Sequence, residues 1–169
     1  MKVLGCWITL VFVVIVSTLS IEATAQEATV LSGEDLTRVV PTGFYFEGRS
    51  GPTQMRNAAA VRFGPKRYVI AALVDTAGYA ADVQAKYEGF LITDSAIAVG
   101  GKELPAGAYG FGFSKDDKLN ISDLGGNPVM SIGAAKDSGL RNPRPLTIIK
   151  GNEGIRLYRG RSYVTLTAK

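Results

Sequence analysis

Carboxylates, phenols, hydroxyls and guanidinium groups are the reactive side chains this chain has to work with, because it contains no histidine and its single cysteine and single tryptophan are Cys6 and Trp7. That removes Ser-His and Cys-His nucleophile systems and zinc sites of the usual nitrogen and sulfur ligation. A pair of carboxylates can still cleave a glycoside, one acting as acid and the other as base or nucleophile. Glu47, Asp75, Asp82, Glu88 and Asp94 are the candidates, yet no two of them stand in a recognisable motif. No catalytic residue, metal ligand or cofactor is therefore assigned, and a carboxylate-dependent hydrolase is kept only as an alternative. Asp116 and Asp117, with Asp123 and Asn127 nearby, have the acid density of a calcium loop but not its spacing. A hairpin turn accounts for the first two. Asn120-Ile121-Ser122 has the form of a glycosylation acceptor, but it falls within an expected strand.

Binding chemistry has more to offer. In Gly107-Ala108-Tyr109-Gly110-Phe111-Gly112-Phe113, Tyr109, Phe111 and Phe113 fall on one side of a strand and only alanine or glycine on the other. The rings either fill a core, with the glycines admitting a close neighbour on the far side, or line a cavity for a small apolar molecule. Asn57, which sits among apolar neighbours, is the polar residue grouped with them. A second candidate lies near the C-terminus. From Ser138 to Lys169, seven cations face the single acid Glu153. Arg156, Tyr158, Arg161 and Tyr163 alternate with apolar residues and so share one face of a hairpin. Such a face suits the phosphate, sulfate or carboxylate groups of an anionic envelope polymer; the competing reading is an ordinary solvated strand face that discourages edge pairing. The net charge of +4 is well short of a nucleic-acid-binding balance.

The elements that must position these residues are almost all strands. Ser32-Gly33-Glu34-Asp35 reads as a cap and acidic first turn, and Pro41 closes the segment, so one short helix is expected over 33–39. From Phe44 onward, short alternating runs are punctuated by turn residues every eight to twelve positions. Strands are expected at 43–49, 53–63, 67–75, 85–93, 95–100, 107–114, 118–123, 127–134, 144–150, 154–159 and 161–168. In the second of these, Met55, Ala59, Val61 and Phe63 read as the apolar side, opposed by Gln54, Arg56 and Arg62. The fold class is all-β, an antiparallel barrel or sandwich, with 75–83 and 136–143 as the two longer connections.

Ahead of that domain, Lys2, an uncharged run from Val3 to Ile21 and the Ala23-Thr24-Ala25 site read as a signal peptide over 1–25. A single domain is expected over 26–169, exported to a periplasmic or extracellular setting, with no thiol left for a disulfide. Membrane contact is expected only through an uncleaved leader. Cys6 precedes the apolar run and so does not sit where a lipidation box would.

The stretch Gly101-Lys102-Glu103-Leu104-Pro105-Ala106-Gly107-Ala108-Tyr109 resembles the Gly-Lys-x-Leu-Pro-Ala-Gly-x-Tyr pattern of a family of exported bacterial β-sandwich domains without an assigned activity. The matching residues are Gly101, Lys102, Leu104, Pro105, Ala106, Gly107 and Tyr109. The chain as a whole is similar to exported proteins of soil bacteria such as acidobacteria. The resemblance implies a secreted β-sandwich and supplies no activity. The residues and the resemblance together point to a binding module, holding a small apolar ligand or docking on a protein, with an envelope-associated structural protein as the other reading.

Overall fold

The computed structural model describes residues 27–151 and 154–169; the expected leader lies outside the described residues. In chain order the elements are β1 (Ala28–Val30), α1 (Gly33–Val39), β2 (Gly43–Phe46), β3 (Arg49–Phe63), β4 (Arg67–Val74), α2 (Ala81–Gln84) and β5 (Gly89–Thr93). They continue with β6 (Ile97–Val99), β7 (Lys102–Leu104), β8 (Gly107–Phe113), β9 (Lys118–Ser122) and β10 (Pro128–Gly133). The last four are β11 (Ala135–Lys136), β12 (Arg144–Gly151), β13 (Gly154–Gly160) and β14 (Ser162–Ala168). One sheet runs β1-β3-β4-β5-β8-β9-β10, with β2 paired to the outer part of β3. The other runs β12-β13-β14-β6-β7, with β11 paired to β14. All pairings are antiparallel, the sheets do not close into a barrel, and the fold is an all-β sandwich.

Strand alternation sends residues to two separate cores. Between the sheets lie Ala59, Val61, Val69, Ala71, Leu73, Leu91, Phe111, Leu119 and Ile121 of the large sheet, against Ile97, Val99, Ile148, Ile155, Leu157, Val164 and Leu166 of the small one. On the far side of the large sheet, Ala60, Ile70, Ala72, Val74 and Phe90 meet Leu31, Val40, Phe44, Phe46, Tyr79, Val83 and Tyr87. That outer face is covered by α1, α2 and the β2–β3 arm. Phe44 stacks on Phe90 at 4.6 Å and Phe46 on Tyr87 at 4.1 Å between ring centroids. Among the described residues, no helix is long and apolar enough to cross a membrane.

The arm shows why some expectations moved. Glu47 and Gly48 both have positive φ, 44° and 82°, so the chain reverses there in a two-residue hairpin and Phe46 pairs with Arg49. β3 therefore begins several residues before 53. Between Thr53 and Ala58, β3 advances five residues while its partner β4 advances two, from Val74 to Ala72. The odd excess inverts the alternation. Met55 consequently packs with the outer core, not beside Ala59, Val61 and Phe63 as the pattern implied.

A similar correction applies at 85–93, where the strand starts only at Gly89. Val83 and Tyr87, four residues apart, both enter the outer core, and the Tyr87 amide donates to the Val83 carbonyl at 2.8 Å. The segment is helical turn, and α2 occupies what read as a connection. The 33–39 helix is found over those residues.

The Gly-Lys-x-Leu-Pro-Ala-Gly-x-Tyr stretch is the corner between the sheets. Gly100 and Gly101 turn β6 into β7 with φ of 54° and 82°, and Val99 pairs with Lys102. Leu104 is buried, and the chain then crosses to β8 of the other sheet. The Tyr109 hydroxyl donates to the Pro105 carbonyl at 3.0 Å, tying off the corner. β7, like β1 and β11, is too short for a periodic signal.

Candidate functional site

The ring row of β8 faces inward between the sheets. Tyr109 and Phe111 are buried in the inter-sheet core, and Phe113, partly buried, packs edge-to-face on Phe111 at 6.2 Å. Burial pushes the Tyr109 phenol above its ordinary pKa. On the opposite side of the same strand, a Cβ at Gly110 would enter the Phe46 ring and one at Gly112 would enter the Lys86 carbonyl. The glycines admit a ring and a backbone, which is the packing role open to them from sequence. Asn57 is not brought to these rings. It lies in the irregular stretch of β3 and donates to Gln54 Oε1 at 2.8 Å.

Each of the five candidate carboxylates has its own local setting. Glu47 pairs with Lys86 at 2.7 Å, and both oxygens of Asp94 accept the Tyr68 amide at 2.9 Å. Asp75 accepts the Ala77 amide at 3.0 Å, and Asp82 is exposed on α2. Glu88 has the most demanding position. It takes Arg159 Nη2 at 3.1 Å and Nε at 3.3 Å, and accepts the Phe113 amide at 3.1 Å. This fork joins the end of the small sheet to the large one.

The second acidic group is likewise structural. Lys118 donates to Asp116 at 2.7 Å and, with Ser114, lowers its carboxyl pKa to about 2. Asp117, at φ 54°, binds Lys136 and the Ser162 hydroxyl. Asp123 closes its own turn onto Gly125 and Asn127. Among the described residues, no group of three acids, histidines or cysteines is arranged to hold a metal. Asn120 lies in β9, where its Oδ1 accepts from the Ser131 hydroxyl at 2.7 Å.

The C-terminal hairpin forms in the expected register, with Tyr158 opposite Tyr163 and Leu157 opposite Val164. Because Ile148, Ile155, Leu157, Val164 and Leu166 point into the sandwich, Thr147, Ile149, Arg156, Tyr158, Tyr163 and Thr165 point out. The four residues singled out from sequence divide into two roles. Tyr158 is only 2% exposed; its hydroxyl donates to Asp137 at 2.9 Å, and burial raises its phenol pKa. Arg161 donates from Nη1 to the carbonyls of Ser138 at 3.0 Å and Leu140 at 2.6 Å. These two hold the loop after β11 against the hairpin.

Arg156 and Tyr163 remain on the open face. The Arg156 guanidinium carbon lies 4.5 Å from the Tyr163 ring centroid, and the Tyr163 ring leans on Tyr158 at 5.1 Å. The β12 strand beside them carries Arg144 at one end and Lys150 near the other. Both are exposed, as is Arg141, and none of the three forms an ion pair among the described residues. Arg159 and Lys169, also in the basic cluster, are committed to Glu88 and Glu103. The sequence showed the charge surplus but not which cations the fold consumes. No family model, curated protein or solved structure matches the chain.

Proposed function

We propose that this protein is an exported, non-catalytic binding module that docks on an anionic envelope polymer through the outer face of its small sheet. The observation that carries the reading is the outward row of the small sheet, where the half-buried Arg156 guanidinium lies over the Tyr163 ring and the exposed Arg144 stands on the neighbouring strand. Arginine is suited by its charge to phosphate and carboxylate groups, and a tyrosine ring beside it supplies flat contact area. Rows of Thr147 and Thr165 add hydroxyls beside it. The hydrolase alternative has less support, since Glu47, Asp75, Glu88 and Asp94 each serve a local contact. The ligand-cavity reading is weakened by the burial of Tyr109 and Phe111 among aliphatic neighbours.

Co-sedimentation with purified peptidoglycan and with lipopolysaccharide tests the reading. The protein is expected to pellet with at least one of them at low salt and to be released at high salt, because exposed charges are screened. Failure to bind either at low salt overturns it.

A further inference from the structure

We infer that the hollow between the Arg49–Pro52 and Asp75–Tyr79 segments binds a small zwitterion of the α-amino-acid class, its carboxylate on Arg49 and its ammonium on Asp75. This site belongs to the large sheet and shares no residue with the Arg156–Tyr163 face. Its volume is about 210 Å³, and it is lined by Arg49, Ser50, Gly51, Pro52, Asp75, Gly78 and Tyr79. Pockets for drug-sized ligands run to roughly 300–1,000 Å³, so the occupant must be small.

Its walls are fixed by the fold. The Asp75 amide donates to the Pro52 carbonyl at 2.9 Å, and the Tyr79 hydroxyl donates to the Arg49 carbonyl at 3.0 Å. These two bonds clamp the β3 arm to the loop that follows β4. Gly51 makes the approach close enough: a Cβ there would fall 2.8 Å from the Asp75 carbonyl oxygen and 3.3 Å from the Tyr79 ring. Tyr79 is itself held edge-on to the buried Tyr87 ring at 5.3 Å.

The chemistry of the lining selects the ligand. The Arg49 guanidinium reaches over Gly78, with Nη1 4.0 Å from where a Cβ would stand, and among the described residues it makes no hydrogen bond or ion pair. Among the described residues, Asp75 uses only Oδ1, for the Ala77 amide, and neither its Oδ2 nor the Ser50 hydroxyl has a hydrogen-bond partner. Arg49 and Asp75 thus line one hollow without pairing with each other. An isolated anion would satisfy Arg49 alone, an isolated cation Asp75 alone, and a neutral sugar neither charge. A molecule carrying both charges a few ångströms apart satisfies both with charge-assisted hydrogen bonds. Pro52 and the Tyr79 ring give its carbon skeleton an apolar rest.

The test is a titration of the ¹⁵N-labelled chain followed by amide NMR. Glycine, L-alanine and L-serine are the probes, and acetate, methylammonium and acetamide are the single-function controls. Saturable shifts are expected at the Gly51, Asp75 and Gly78 amides with the zwitterions, with Kd about 1 mM or tighter. Arg49→Gln and Asp75→Asn should each weaken binding about tenfold or more, and Arg49→Lys should recover part of the loss. The variants' own amide spectra report whether the fold is retained, and since Arg49 is exposed, Arg49→Gln should retain it. No saturable shift with any zwitterion overturns the proposal. So does a response to acetate or methylammonium as strong as that to glycine, or unchanged binding in the folded Arg49→Gln variant.

Discussion

The two outer faces of the sandwich have been finished in opposite ways. On the large sheet, the outward positions at its centre include Ala60, Ala72, Gly110 and Gly112, and the aromatic arm of Phe44 and Phe46 with α1 and α2 lies over them. On the small sheet, outward positions include Thr147, Arg156, Tyr163 and Thr165, and among the described residues the loop after β11 reaches over one end. A sheet face with alanine and glycine must be covered, since those residues offer water nothing and leave room for a ring. A face with threonine, arginine and tyrosine is already compatible with water. Among the described residues both helices and the aromatic arm lie on one sheet, which leaves most of the other sheet's outer face for a partner.

Substitutions on the covered face should have the largest effects. Phe46→Ala removes a fully buried ring and its stack on Tyr87, and should cost about 3–5 kcal/mol in urea unfolding. Gly112→Ala pushes a methyl into the Lys86 carbonyl, which is backbone and cannot rotate away, and should cost about 3 kcal/mol. Gly133→Ala is the control: nothing lies within 4 Å of its new methyl, so stability should hold or rise by about 0.5 kcal/mol. Equal losses at Gly112 and Gly133 would break the comparison.

Removing one hydroxyl from each side sharpens it further. Tyr158→Phe loses the bond to Asp137 and should cost about 1 kcal/mol. Tyr87→Phe removes a buried hydroxyl that meets no partner at hydrogen-bond distance and angle among the described residues, and should be neutral or mildly stabilising. Burial raises the Tyr87 phenol above the ordinary 10.0. The folded state therefore holds that proton more tightly than the unfolded chain does. This stabilisation is complete below about pH 10 and declines as pH rises beyond it. Urea midpoints taken at about pH 9 and about pH 11 should fall less in Tyr87→Phe than in the parent protein. On the open face, loss of the Arg156–Tyr163 ring contact in Arg156→Gln should cost about 0.5–1 kcal/mol of stability, far less than Phe46→Ala.

Much of this architecture was legible because hydrophobic alternation and turn residues act locally. The C-terminal hairpin kept its expected faces, since Arg159-Gly160 fixes the reversal and no bulge follows. β3 did not, because three extra residues between Thr53 and Ala58 are defined only by pairing with β4. The outer core was the other hidden feature. Its signs, the Ala58-Ala59-Ala60 run and the paired Gly110 and Gly112, indicate that something packs close without saying what does. Of the candidate site, Arg156 and Tyr163 stayed outward while Tyr158 and Arg161 were drawn into holding a loop. That division depends on where 137–140 lies, which no spacing within the hairpin records. The Arg49–Asp75 hollow joins residues brought together by the arm's hydrogen bonds, so Arg49 did not stand out in its own segment and Asp75 read only as one of five scattered carboxylates.

The central claim, that the uncovered face is the binding face, is tested most directly by measuring affinity for purified lipopolysaccharide and for peptidoglycan across a salt series. The parent protein would be compared with Arg156→Gln combined with Tyr163→Ser. The account predicts that the parent binds one of the polymers with an affinity that falls as salt rises, and that the double variant, still folded, binds it about tenfold or more weakly. Equal affinity of the two proteins, or no binding by the parent at low salt, would contradict it.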